Sequence, residues 1–217
     1  MNLEQARFNM IEQQIRPWDV LDEGVLQLLA VVKREDFLPQ AYQALAFVDT
    51  EVPLPEGECM LAPKVEARLL QELKVARHEK VLEVGTGSGF MAALLAHKAQ
   101  QVHTLEIKPT LAALARQNLQ RAGVHNARVY EADGVAGLPA EAPFDAILLS
   151  GSVAEVPPAL LEQLKVGGRL AAIVGQEPVM RALLVTRTGE ASFARTELFD
   201  TVAARLHGFP EPTRFKF

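Results

Sequence analysis

Lys80-Val-Leu-Glu-Val-Gly-Thr-Gly-Ser-Gly89 decides the fold of this chain. Val81, Leu82 and Val84 predict a short buried strand, and Gly85, Gly87 and Gly89 then turn the chain tightly enough for its backbone to lie against a ligand. The apolar stretch from Phe90 to Lys98 predicts a helix directly afterwards. The glycines therefore fall between the carboxyl end of a strand and the amino end of a helix. Unpaired backbone N–H groups at such a junction, in the crevice of an open α/β sheet, favour a nucleotide-like ligand.

Outward from this stretch the pattern is regular. Strands are predicted over 80–84, 102–106, 127–131, 144–149 and 168–174, and helices over 89–98, 109–122 and 157–165. Strands alternating with helices of this length imply right-handed crossovers and a mainly parallel sheet covered on both faces. Segments 181–187 and 195–206 flank Gly189 and predict an antiparallel hairpin, which brings the sheet to seven strands. Upstream, apolar residues at helical spacing predict helix over 3–33, broken at Arg16-Pro17, with Asp22 as the N-cap of its second part. Pro39, Pro53, Pro55 and Pro63 punctuate 36–63, and Val65 to Leu73 is again helical. The expected division is a helical and looped extension over 1–75 packed on a ligand-binding core over 76–217, together one compact unit.

At 217 residues, 49% of them hydrophobic, the chain is long enough for a substantial core. A formal net charge of −5 with scattered Lys and Arg argues against a nucleic-acid-binding surface. Cys59 is the only cysteine, so an intramolecular disulfide and a Cys-rich zinc site are excluded, and the five histidines share no metal-ligand spacing. The amphipathic start carries no apolar leader pattern and no run is long enough to cross a bilayer, so a soluble cytoplasmic protein without membrane contact is expected.

Three details choose among nucleotide ligands. Phe90 stands where a dinucleotide fingerprint wants its third glycine, and no Gly-Lys-Ser/Thr follows, which excludes a P-loop. Glu83 precedes the first glycine, where a carboxylate repels a pyrophosphate and suits a cation. Glu106, about 20 residues on at the tip of the second strand, is placed to accept hydrogen bonds from ribose hydroxyls. Asp133, in Ala132-Asp133-Gly134 after the third strand, is placed for the exocyclic amine of an adenine. A positively charged adenosine fits all of these features, and S-adenosyl-L-methionine is that molecule. Cofactor contacts are thus expected from Glu83, Gly85, Thr86, Gly87, Ser88, Gly89, Glu106, Ile107, Asp133 and Gly134. Ser150, with Gly151 at the end of the fourth strand, borders the expected reaction centre.

Glu83-Val-Gly-Thr-Gly-Ser-Gly-Phe90, Glu106, Asp133-Gly134, Phe144-Asp-Ala-Ile-Leu-Leu149 and Leu164-Lys-Val-Gly-Gly-Arg-Leu170 resemble the ordered motifs of class I methyltransferases. Met10-Ile-Glu-Gln-Gln-Ile15, Val25-Leu26, Arg34-Glu-Asp-Phe-Leu-Pro39, Ala46-Phe-Val-Asp49 and Gly57 through Pro63 narrow the resemblance to protein-L-isoaspartate O-methyltransferases, from about residue 7 to about residue 175. The resemblance implies a Rossmann-like α/β fold, S-adenosyl-L-methionine as methyl donor with S-adenosyl-L-homocysteine as product, and damaged aspartyl carboxylates of proteins as acceptors. It also implies a catalytic position at Leu61. The family motif reads Gly-Gln-Thr-Ile-Ser-x-Pro, its serine beside the reacting methyl, whereas this chain has Gly57-Glu-Cys-Met-Leu-Ala-Pro63. Leucine cannot orient a carboxylate by hydrogen bonding. Two other readings therefore stand beside carboxylate repair: a methyltransferase with a small-molecule acceptor, and a non-catalytic adenosyl-ligand-binding regulator.

Overall fold

The computed structural model describes residues 2–211; Met1 and 212–217, the end of the expected core, lie outside the described residues. Asn2 and Asp22 open the two amino-terminal helices, their side-chain oxygens accepting from Gln5 N at 3.2 Å and Val25 N at 3.0 Å. Helix α1 (Leu3–Met10) runs into a π-helical turn (Ile11–Ile15) and a 3-10 turn (Arg16–Trp18), and α2 follows over Glu23–Val31. The interruption falls at Arg16-Pro17, as the proline requires. The proline-punctuated stretch carries three 3-10 segments (Arg34–Phe37, Gln40–Phe47 and Pro55–Gly57) and a small antiparallel ribbon, β1 (Val52–Pro53) with β2 (Cys59–Met60). Pro63 then begins α3 (Pro63–Leu73) at the position where its missing N–H costs nothing.

From there strands and helices alternate: β3 (Lys80–Val84), α4 (Phe90–Lys98), β4 (Gln101–Glu106), α5 (Pro109–Arg121), β5 (Ala127–Glu131), β6 (Phe144–Val153), α6 (Pro158–Glu162) and β7 (Leu164–Gln176). Two more strands, β8 (Val179–Arg187) and β9 (Phe193–Thr201), complete one seven-stranded sheet in the order β5-β4-β3-β6-β7-β8-β9. β8 alone runs against its neighbours. This is the doubly wound, mostly parallel sheet expected, with the hairpin at one edge. Along β3 the side chains alternate: Val81 enters the core layer shared with α3, α4, α5 and the amino-terminal helices, while Leu82 and Val84 enter the opposite layer with α6. Glu83 therefore shares the face of Val81. Met10, Ile15, Leu29 and Phe37 belong to that same layer, so residues of 1–75 and of the sheet form one continuous apolar cluster. Arg34–Glu66 and Arg7–Glu35 ion pairs are buried within it.

Boundaries depart most from expectation in three places. The helix expected over 157–165 has five residues, because Leu164 already pairs with Phe144 and the chain runs through Gly167-Gly168 as strand. β6 extends beyond residue 149 to Val153, with a register shift against β7 between Leu148 and Ser152 that turns Ser150 away from regular pairing. The strand expected over 195–206 stops at Thr201. Residues 202–206 cross back over the sheet, because Ser152 captures them: its N donates to Ala204 O at 2.8 Å, its Oγ to Ala203 O at 2.8 Å, and its O accepts Leu206 N at 2.9 Å.

Candidate active site

The carboxyl ends of β3, β4 and β6 open on a cleft whose walls include Gly85, Gly87, Glu106, Ile107, Gly134 and Ser150. Gly85, at φ +91°, brings its bare backbone to the cleft, where a Cβ would lie 2.7 Å from Leu206 Cδ2. Gly89, at φ +85°, instead caps α4 against α5: a Cβ there would sit 3.3 Å from the Ala115 backbone. The first two glycines thus face the cleft, and the third serves helix packing.

Glu106 uses both oxygens to hold the rim, accepting Gly87 N at 2.8 Å and Lys108 N at 3.0 Å. Burial pushes its pKa up, against those two backbone donors. Asp133 behaves differently. Its flanking residues Ala132 and Gly134 wall the cleft, while its exposed carboxylate closes the turn onto Val135 N at 3.0 Å.

A smaller inner chamber adjoins the cleft at Cys59, Gly85, Gly87 and Ser150. Glu83 lies at its floor, fully buried, with Oε1 accepting Ser150 Oγ and Oε2 accepting Thr104 Oγ1, both at 2.7 Å. Thr86 Oγ1 meets Thr104 Oγ1 at 2.6 Å, which extends the chain of hydroxyls. Loss of water raises Glu83 to about 8 despite these donors. Ser88, also buried, lies 3.8 Å from Met60 Sδ through its Oγ. Cys59 is no nucleophile here, since burial and neighbouring Glu51 push its thiol up to about 12.

Leu61, 6% exposed, lies between this chamber and an outer groove lined also by Asp49, Lys64, Glu177 and Ala203. Its carbonyl accepts Arg34 Nη2 at 2.7 Å.

Several residues of the site carry no motif in the sequence. Arg205, Leu206, His207 and Phe209, from the segment after β9, roof the cleft. His207 Nε2 lies 2.8 Å from Glu58 Oε1, which also pairs with Lys108, so the segment, the β1–β2 ribbon and the loop after β4 are tied at one point. Burial acts to raise Glu58, but Lys108 and His207 hold it below the usual carboxylate range. Thr104 was legible only as the strand neighbour of Glu83, and Glu66 of α3 had no signal at all.

The carboxyl groups of the inner chamber, Glu66 and Glu83, favour a cation there over a phosphate. The two Lys/Arg side chains on the cleft wall are both engaged, Lys108 by Glu58 and Arg205 by Glu211 at 2.7 Å. Among the described residues, no cluster of three or more His, Cys, Asp or Glu could hold a metal ion, and no helix is long and apolar enough to cross a membrane.

Sheet, glycine turn and carboxylate-lined cleft together define a class I S-adenosylmethionine-dependent methyltransferase. A profile of the family "Protein-L-isoaspartate(D-aspartate) O-methyltransferase (PCMT)" matches residues 5–203, and the chain belongs to that family. The protein-L-isoaspartate O-methyltransferase of Koribacter versatilis is 43% identical over 198 residues, 91% of this chain and 88% of that relative. That of Methanoculleus marisnigri is 42% identical over 169 residues, 78% and 77% of the two chains. A Plasmodium falciparum chain solved in complex with S-adenosyl-L-homocysteine superposes with a TM-score of 0.81 at 20% identity, covering 92% of this chain and 97% of that one; at such identity the likeness speaks for the fold alone.

Proposed function

We propose that this chain transfers the methyl group of S-adenosyl-L-methionine to the free carboxylate of isoaspartyl residues in proteins. The observation that carries the reading is the adjacency of three spaces: nucleoside cleft and inner acidic chamber, which share Cys59, Gly85, Gly87 and Ser150, and an outer groove that shares Leu61 with the chamber. A donor lies in the first two, and a polypeptide acceptor approaches through the third. Family membership supports a protein acceptor.

When bound, S-adenosyl-L-methionine supplies an electrophilic methyl group on a sulfonium. Gly85 and Gly87 receive the nucleoside against bare backbone, and Glu106 accepts from its ribose hydroxyls on lone pairs left free by the two rim amides. Ile107 and the Ala132–Gly134 turn wall the base, with Asp133 at its edge. Thr86 and Ser88 line the chamber that receives the remaining arm. Leu206 and Phe209 exclude water from above.

A carboxylate acceptor is already ionised at pH 7, so no general base is needed. Catalysis is then alignment, which contributes roughly 7–11 kcal/mol in favourable cases. Leu61 gives the acceptor an apolar wall without a hydrogen bond. Ser150 lines both cleft and chamber, but its one O–H proton is given to Glu83, so the acceptor is aligned by the shape of the site.

Labelled methyl transfer to a matched pair of peptides, one isoaspartyl and one aspartyl, tests the proposal. Base-labile label on the isoaspartyl peptide alone is the expected result. No label on either, with enzyme in excess, refutes the proposed acceptor.

A further inference from the structure

Helix α2 buries one face and leaves the other without a partner. Val25, Leu26 and Leu29 enter the core, while Gly24, Gln27, Leu28 and Val31, at the spacing of one helical stripe, line an open pocket. The link between α3 and β3, Val75-Ala76-Arg77, forms its far wall, and His97 and Lys98 in the last turn of α4 close one end. Its floor is aliphatic: Val75 is buried, Leu28 half-buried, and Val31 is 69% exposed. A single bare valine on a helix is ordinary. Here it forms one side of a concavity whose rim is charged.

That rim carries one sign of charge. Arg77 and Lys98 are cations, His97 is an imidazole, and no Asp or Glu lines the pocket. Arg68, Arg169 and Lys165 are each matched by acids. Arg77 and Lys98 form no ion pair among the described residues, in a chain of formal net charge −5. Asp22 stands close by at the start of α2: a Cβ on Gly24 would lie 3.1 Å from Asp22 Oδ1 and 3.7 Å from Lys98 Nζ. Its Oδ1, however, already accepts Val25 N as the helix cap.

Uncompensated cations attract an acid, and their surroundings state which kind. A compact phosphate is disfavoured, because the α2 N-terminus is taken by the Asp22 cap and α4 presents its negative, carboxyl end. No aromatic ring lines the pocket, so a nucleic-acid base has nothing to stack on. A polypeptide matches each part. Acidic side chains reach the separated cations, aliphatic ones cover Leu28 and Val31, and the Gln27 amide offers a donor and an acceptor to a backbone. Residues 212–217, Pro-Thr-Arg-Phe-Lys-Phe, carry no acidic side chain, so this chain's own tail lacks that chemistry.

We propose that this pocket docks an acidic, aliphatic segment of a partner protein. It is separate from the methyl-donor cleft: the 9 residues of α4, roughly 13 Å of helix, lie between the glycine turn and Lys98.

Fluorescence anisotropy on the full chain tests the proposal, with a short labelled peptide rich in Glu and Leu. Matched peptides with Gln for Glu, or Ser for Leu, should each bind about 10-fold more weakly, and added salt should weaken the acidic peptide. Arg77→Glu combined with Lys98→Glu should weaken it roughly 10-fold or more, and Val31→Ser should weaken it separately. These side chains are exposed or half-buried, and circular dichroism checks that each variant is folded; if the reversal does not fold, Arg77→Gln with Lys98→Gln takes its place. Saturating S-adenosylhomocysteine should leave the affinity unchanged. No binding by the wild type, equal affinity for the Gln peptide, or unchanged affinity in the charge or Val31 variants overturns the proposal. Displacement of the peptide by inorganic phosphate, a single-stranded oligonucleotide or S-adenosylhomocysteine overturns it too. So does a wild-type dimer in sedimentation that the charge variant alone dissociates, since the occupant is then a second copy.

Discussion

Glu106 and Leu61 occupy opposite ends of the site, and each supports a quantitative expectation. Glu106 both braces the rim amides and presents its remaining lone pairs to the ribose. Glu106→Ala should weaken S-adenosylhomocysteine binding by about 1.5–3 kcal/mol, measured calorimetrically; unchanged affinity would remove the ribose assignment. At Leu61 a hydroxyl would offer the acceptor carboxylate the hydrogen bond it now lacks. Leu61→Ser should raise kcat/KM for an isoaspartyl peptide by roughly 10- to 100-fold, the rate equivalent of about 1–3 kcal/mol. Residues at strand tips were readable because β3 and β4 are short, periodic and end in acids, so Glu83, Gly85, Gly87 and Glu106 could be placed from spacing alone. Gly89 was grouped with the ligand glycines because spacing cannot separate a ligand contact from the close approach of α5. Glu66 was unreadable for a related reason: it lies on a helix remote in sequence, and only tertiary packing turns it into the chamber.

At the scale of elements, the segment after β9 matters most. It reads as a continuation of the strand, since Thr201-Val-Ala-Ala-Arg-Leu206 contains no Gly, Pro, Asp or Asn to end it. Nothing local announces that Ser152 will take up its carbonyls and draw Leu206 across Gly85 and Gly151. Leu206 is therefore part of the roof. Leu206→Ala should speed S-adenosylhomocysteine release roughly 10-fold or more in a stopped-flow displacement experiment, since burying a leucine contributes about 1.5–3 kcal/mol. A rate equal to wild type would mean that the roof does not close on the ligand. The shortened α6 carries the same lesson: Lys165-Val-Gly-Gly168 looks like a loop until β6 supplies a pairing partner.

For the whole molecule, the buried acids set a pH dependence. With no ligand bound, folded Glu83 keeps its proton up to about 8, whereas the unfolded chain releases it near the ordinary glutamate value. Between those values the folded state binds the extra proton, so stability falls as pH rises through that window. Glu66, raised to about 7, adds to the same slope. Against the upward pull of burial, Arg169 holds Glu79 and Lys165 holds Asp145 below the usual range, so their contribution is lost only in strong acid. Urea denaturation without ligand should therefore find greatest stability in mild acid, and Glu83→Gln should remove a slope of about 1 kcal/mol per pH unit above it. An identical pH profile in that variant would contradict the burial of an uncompensated carboxyl. The central claim is that an S-adenosyl nucleoside lies where β3 hands over to α4, with its arm in the acidic chamber and its sulfur towards Leu61. A crystal structure of the complex with S-adenosylhomocysteine tests it most directly. The account predicts the ribose on Glu106, the base beside Gly134 and the arm within the inner chamber; a nucleoside bound elsewhere, or one with its arm turned out of the chamber, would contradict it.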